Sequence, residues 1–321
     1  MIQEKINLRQ SRDFGETFNT SVKFLRQNFK IIFLSVLCLA GPFILLSSVA
    51  GAFYQANVIQ NALTPVDFGS GANPWDVLTR QFGIWYFIFL ISASISQVIL
   101  TTTVYGVMIN YQEKGPGNFT VGDVASRVGR NFVNIVAAYF FLMFATILVV
   151  ALLVAIIFAI ASAVPALGII LGIFMAIGIL IVGPTVFWQL SAVYLSVMQP
   201  NENLARGIGK PFRVTSGNFW WTWVIVVCTT IAVGLMGMVF AIPQGAYQAV
   251  IMFAHKGEDV PTAFFIVSTV CVFFSSLLYS VMHLVFGVHY YSLVEKKEGT
   301  GIMDRINEIG NSGPVNENLQ Y

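Results

Sequence analysis

The side chains able to do chemistry are few and widely spaced. His283 is the one ionisable residue well inside an apolar run. An imidazole there suits a proton relay, contact with a lipid head group, or a hydrogen bond to a neighbouring helix. Gln97, Asn110, Gln189, Gln244 and Gln248 are the buried amides. In hydrocarbon such groups find partners on other helices, for about 0.6–2 kcal/mol each, or line a small polar cavity. Gln189, Gln244, Gln248 and His283 are therefore the candidate intramembrane polar site. His289, beside Tyr290 and Tyr291, reads as an interface anchor. Cys38, Cys228 and Cys271 all lie in apolar runs, without a neighbour at metal-ligand spacing. Asp67, Asp76, Glu258 and Asp259 fall in short loops and are expected to be solvated. No nucleotide loop, zinc motif, nucleophile elbow or paired carboxylate appears, so no catalytic residue, cofactor or metal is expected.

The cations are more informative. Lys23, Arg26 and Lys30 flank an apolar stripe of Phe14, Phe18, Val22, Leu25 and Phe29 at helical spacing. Arg127 and Arg130 do the same beside Val121, Val124, Ala125 and Val128. Arg206, Lys210 and Arg213 accompany Leu204, Ile208 and Phe212, with Pro211 expected to interrupt that helix. An apolar stripe bordered by cations is the pattern of a helix lying in a membrane surface. All eight cations are expected to contact that surface, each worth about 1 kcal/mol near anionic lipid. The segments open on Asp13 with Glu16, Thr120 with Asp123, and Asn201, all helix-capping residues. They close on Asn28-Phe29, Asn131-Phe132 and Asn218-Phe219. The cap-to-Asn spacings of 15, 11 and 17 residues mark a shared pattern rather than a fixed period.

Each segment leads into a long apolar stretch. Hydrophobic residues make up 56% of the 321 residues and charged residues 10%, against about 25% charged in a soluble domain. The stretches exceed the roughly 20 residues that cross a bilayer. Six spans follow, at about 31–54, 84–111, 132–162, 166–198, 219–253 and 262–293. They form one membrane domain over 13–294, between a polar, loosely held stretch at 1–12 and a polar tail at 295–321. The tail's Ile302, Met303, Ile306 and Ile309 suit one short helix. The expected fold is an all-α membrane protein of six transmembrane helices in three hairpins, each preceded by an amphipathic helix. Gly41-Pro42, Pro184 and Pro243 should bend or break their spans. Rows of small residues (Ala151, Ala155, Ala159, Ala163; Gly168, Gly172, Ala176; Gly237, Ala241, Gly245, Ala249) suggest close helix contacts in a compact bundle.

Orientation comes from charge. Fifteen of the 17 Lys and Arg residues fall on one side of the spans, and only Arg80 and Lys256 on the other. Cytoplasmic segments carry the positive excess, which puts both termini and all three basic helices at the cytoplasmic face of a bacterial inner membrane. Some 30 residues precede the first apolar stretch, too many for a signal peptide.

The stretch from Asn203-Leu-Ala-Arg-Gly-Ile to Thr215-Ser-Gly-Asn-Phe-Trp-Trp, a basic helix, then Asn-Phe-aromatic, then a long span, resembles a bacterial multi-pass family. That family is similar to the membrane domain attached to some glycerophosphodiester phosphodiesterases. In those relatives a separate soluble barrel carries the activity. No such barrel is expected in this chain, so the resemblance implies the membrane architecture and not the reaction. The expected function is non-catalytic: organising protein or lipid partners at the cytoplasmic face. The expected partners are the bilayer, its anionic lipids and another membrane protein, with no nucleic acid. The alternative is a permease for a neutral or amphiphilic solute.

Overall fold

A computed structural model describes residues 5–63, 82–200, 202–254 and 260–299. The expectations for the loop carboxylates, Arg80, Lys256, Asn201 and the tail helix lie outside these residues. The described chain is all-helical. The elements are α1 (Phe14–Ser35), a π-helical turn (Val36–Ala40), α2 (Gly41–Leu63), α3 (Ile84–Lys114), α4 (Val121–Arg130) and α5 (Phe132–Ala163). They continue with α6 (Pro165–Val197), α7 (Leu204–Thr215), α8 (Phe219–Ala254) and α9 (Thr262–Glu298). Six helical stretches are long and apolar enough to cross a membrane, so this is a multi-pass membrane protein.

The asparagines mark the joints. Asn28 leaves helical geometry (φ −114°, ψ 17°), and its Nδ2 donates to the Phe24 carbonyl at 3.1 Å. Asn131 separates α4 from α5 (φ −95°, ψ 7°), with Nδ2 donating to the Arg127 carbonyl at 3.0 Å. In both, the amide satisfies a carbonyl four residues back while the backbone changes direction. Asn218 precedes α8, and its Oδ1 accepts from Lys296 Nζ at 2.8 Å. The first joint does not break the chain into separate elements: residues Phe14–Asn61 form one continuous helical path. The third segment is capped by Asn203, so its spacing to Asn218 equals that from Asp13 to Asn28.

The prolines do not break their helices. Ahead of Gly41-Pro42 the helix widens into the π-turn, where the Gly41 N–H reaches back to the Val36 carbonyl. α6 runs through Pro184, and the Leu180 carbonyl that Pro184 leaves without its donor accepts from Trp223 Nε1 of α8 at 3.4 Å. α7 and α8 likewise run through Pro211 and Pro243.

Packing is concentrated at one end, the basal end. There Leu100–Tyr111 of α3 and Met282–Glu295 of α9 are buried without interruption. α9 is the hub, packed on α1, α2, α3, α6, α7 and α8. Against α3 it presents Gly287 to the Met108 side chain: a Cβ there would meet Met108 Sδ at 2.5 Å. α7 lies backbone-close on α6, since a Cβ at Gly207 would meet Val197 Cγ1 at 2.8 Å and Val197 Cα at 3.1 Å. The N-terminal stretch is not loose over its described part. Ile6 and Leu8 join the core, and the Arg12 N–H donates to Ser292 Oγ at 2.9 Å.

Away from the base α5 and the first part of α6 are largely exposed. In α5, Ala151, Ala155, Ala159 and Ala163 are all exposed, and Gly237 and Gly245 of α8 face open space. Those rows do not seat helices on one another within this chain; α2, α8 and α9 instead meet at the far end through a second core of Ala56, Ile59, Ile251, Val260 and Phe264. Gly168 does sit against Ala161, across the one-residue turn at Val164.

α4 starts on a reciprocal box in which Thr120 and Asp123 satisfy each other's backbone N–H groups. Hydrogen bonds from Lys114 and then from Thr120 hold the Asp123 carboxyl down at about 2. Its contribution is complete above the ordinary value of 3.8 and is lost as the pH falls through about 2. Hydrogen exchange over α4 should therefore lose protection between those values. The joints carry a second expectation: Asn28→Ala and Asn131→Ala should each lower stability in detergent by about 1 kcal/mol. Wild-type thermal unfolding in both variants would remove these side chains from the account.

A buried polar layer as the candidate functional site

The basal half of the bundle holds most of the polar groups that the spans bury, with Ser47, Ser48, Ser92, Ser96 and Ser268 farther up. His283 sits one turn before Gly287 on α9, and its ring faces α3 and α6. Nε2 lies 2.7 Å from Gln97 Nε2 and 3.1 Å from Thr101 Oγ1, while Nδ1 lies 3.0 Å from Ser191 Oγ of α6. With the Gln97 amide donating, Nε2 accepts, and Nδ1–H is left to donate to Ser191. Ser191 Oγ is 2.7 Å from the Tyr105 hydroxyl, whose ring meets His283 edge-on at 6.0 Å. One imidazole thus ties α3, α6 and α9 together, with both nitrogens occupied.

Below it, Trp188 of α6 is fully buried. Its Nε1 donates to the Phe286 carbonyl at 3.3 Å, and its ring lies 5.2 Å from that of His289. His289 Nε2 is 3.1 Å from Thr222 Oγ1 of α8. It is an interior group, not an interface anchor. Tyr290 and Tyr291 are buried too, and Gln199 Nε2 donates to the Tyr291 hydroxyl at 2.8 Å.

The lowest tier is charged. Arg127 is 9% exposed; its Nε donates to Asn110 Oδ1 at 3.1 Å and its Nη2 pairs with Glu113. A guanidinium this deep needs such partners, because desolvating a lone charge costs several kcal/mol. Arg12 is wrapped by its own strand. Its guanidinium donates to the carbonyls of Leu8 at 2.7 Å and Gln10 at 3.0 Å, to that of Asn7, and to Thr20 Oγ1 at 3.1 Å. Burial pulls Arg12 below its ordinary value, opposed by Glu16. Tyr111 bridges the arm to α1, accepting from the Ile6 N–H at 2.8 Å and donating to Gln27 Oε1 at 3.1 Å.

The sequence-derived polar site does not assemble. Gln244 Nε2 donates to Gln55 Oε1 of α2 at 2.8 Å, a separate link. Gln189 and Gln248 are half-buried on α6 and α8, away from the hydrogen bonds of His283. The true partners of His283 are Gln97, Thr101, Ser191 and Tyr105. Their signal was the polar spacing Gln97, Thr101, Tyr105, at i, i+4, i+8 along one helix face. Among the surface cations two are corrections. Arg127 is an interior ion pair, and Lys210 is bridged to Glu202 at 2.8 Å and to Glu298 at 3.2 Å. Lys23, Arg26, Lys30, Arg130, Arg206 and Arg213 are exposed, Arg213 within 3.6 Å of Glu298.

Among the described residues no group of three His, Cys, Asp or Glu side chains could hold a metal ion. Comparison with family models, curated proteins and solved structures returned no match. What this layer does on the evidence of its geometry is fix helices. His283→Leu, which takes the Gln97 amide from its partner and leaves Ser191 with Tyr105 alone, should lower stability by about 1–3 kcal/mol. Gln189→Leu should stay within about 0.5 kcal/mol of wild type. Equal unfolding temperatures for the two variants would show that the network holds nothing.

Proposed function

We propose that this protein is a non-catalytic organiser in a bacterial inner membrane, engaging anionic lipid and a membrane-protein partner through its basal, cytoplasmic end. The observation that carries this reading is the division of labour among the basal cations. Arg12, Arg127 and Lys210 are consumed by internal bonds. Arg26, Lys30, Arg130 and Arg206 are exposed and carry no ion pair among the described residues. They stand among exposed Val22, Phe29, Phe33, Phe132, Val133 and Trp220. Cations beside exposed apolar side chains suit the boundary between head groups and acyl chains.

The termini support one side for this face. Lys5 Nζ donates to the Gln112 carbonyl at 3.1 Å and Lys297 Nζ to the Arg213 carbonyl at 2.6 Å, so both described ends meet the same basal layer. With the positive excess on that side, it faces the cytoplasm. A reporter fused to the C-terminus should be active only if it works in the cytoplasm.

The lipid reading is tested by the variant Arg26→Gln/Arg130→Gln/Arg206→Gln, reconstituted in mixed anionic and zwitterionic vesicles. Anionic enrichment among co-extracted lipids should fall at least about threefold, given about 1 kcal/mol per basic side chain. Undiminished enrichment would overturn it.

One observation favours the permease alternative. Gly183, Pro184, Phe187, Val226, Tyr279 and Met282 line a 380 Å³ apolar cavity among α6, α8 and α9, one residue from His283. A solute carried there would require flux across liposomes that Gly183→Leu abolishes. Flux with that dependence would replace the organiser reading.

A further inference from the structure

A second cavity lies at the first asparagine joint. Gln27, Asn28, Lys30, Ile31 and Leu34 of α1 form one wall, and Gly117 with Phe119 of the α3–α4 turn forms the other, around 210 Å³. The cleft has a direction. From Gln27 to Leu34 it follows α1 for about 10 Å, at 1.5 Å per residue, from the basal layer toward the apolar span. Its lower part is polar and its upper part is Ile31, Leu34 and the buried ring of Phe119. Tyr111 fixes Gln27 from below, and the Asn28 side chain is tied to Phe24. That floor is therefore built rather than incidental. Lys30, at the rim, has no ion pair among the described residues, and no carboxylate lines the cleft.

From these features we infer that the cleft holds one anionic phospholipid. Its phosphodiester lies against the Lys30 ammonium, and the first carbons of an acyl chain lie along Ile31 and Leu34. A soluble phosphate would satisfy Lys30 and leave the apolar half of the lining unused. A zwitterionic head group would bring a second cation to a site without a carboxylate to meet it. The inference rests on the reading of the basal face as lipid-engaging, and narrows it from a general preference to one retained molecule.

Native mass spectrometry of the full-length protein, released from nanodiscs of phosphatidylglycerol and phosphatidylcholine, tests it. The wild type should retain one phosphatidylglycerol. Lys30→Gln should cut its occupancy at least tenfold, and so should Leu34→Trp, which fills the cleft without changing charge. Arg213→Gln, which removes an equal charge elsewhere, should keep it. Thermal unfolding of each variant checks that it is folded; if Leu34→Trp is not, Lys30→Gln against Arg213→Gln decides alone. Equal losses in those two would overturn the single site and leave the general lipid preference standing. Absence of phosphatidylglycerol selectivity in the wild type would overturn both. Displacement of the lipid by glycerophosphate at matched concentration would show that the cleft reads the soluble head group alone, which also overturns the proposal.

Discussion

Hydrocarbon offers a polar group nothing to bond with, so a polar side chain placed in a span is stabilised by meeting another part of the chain. Here the central meeting is at His283 of α9, which reaches Gln97 and Thr101 of α3 and, through Ser191 with Tyr105, ties in α6. The remaining tiers, through His289 and Tyr291 down to Arg127 with Glu113, lie beneath it. The bonding is not complete: Thr103 Oγ1, Thr185 Oγ1 and His289 Nδ1 are buried without a hydrogen-bond partner among the described residues.

The same constraint explains why the two most apolar spans are the least buried. The most apolar 18-residue windows of α5 and α6 have mean hydropathies of 3.1 and 2.7, yet only 6% of each window is buried; that of α3, at 1.9, is 39% buried. In water the most apolar helix goes to the core. In a bilayer there is little hydrophobic drive between helices, and lipid tolerates only apolar faces. Polar spans are therefore the ones that must find protein. The exposed Ala151–Ala163 row follows from this: small residues permit close packing but do not compel it.

The basal end adds a layer that a membrane core lacks. Between Lys5 and Arg12 the chain folds back under the bundle, and α4 and α7 close its sides. Part of the basic charge is spent inside, on Glu113, Glu202 and Glu298, and the rest remains on the surface. The joint at Asn28 serves both sides of this boundary. Its amide bonds back across the break in the helix, and the same residue lines the cleft beside Lys30.

The sequence by itself determined the spans, because solvation by lipid is a property of composition over some twenty consecutive residues and needs no partner. It also determined the joints, since Asn-Phe after a basic stripe carries its own local chemistry, and it singled out His283 as a lone polar group in need of a bond. It could not determine which groups answered that need. Gln97 and Gln189 are chemically the same and both lie in apolar runs, and only the crossing of the helices separates a partner of His283 from a bystander. The fate of the cations was decided the same way. Arg127 and Arg130 differ by three positions, and tertiary packing buried one against Glu113 and left the other exposed. Periodicity reports which way a side chain points along its own helix; what stands opposite is settled by how the helices cross.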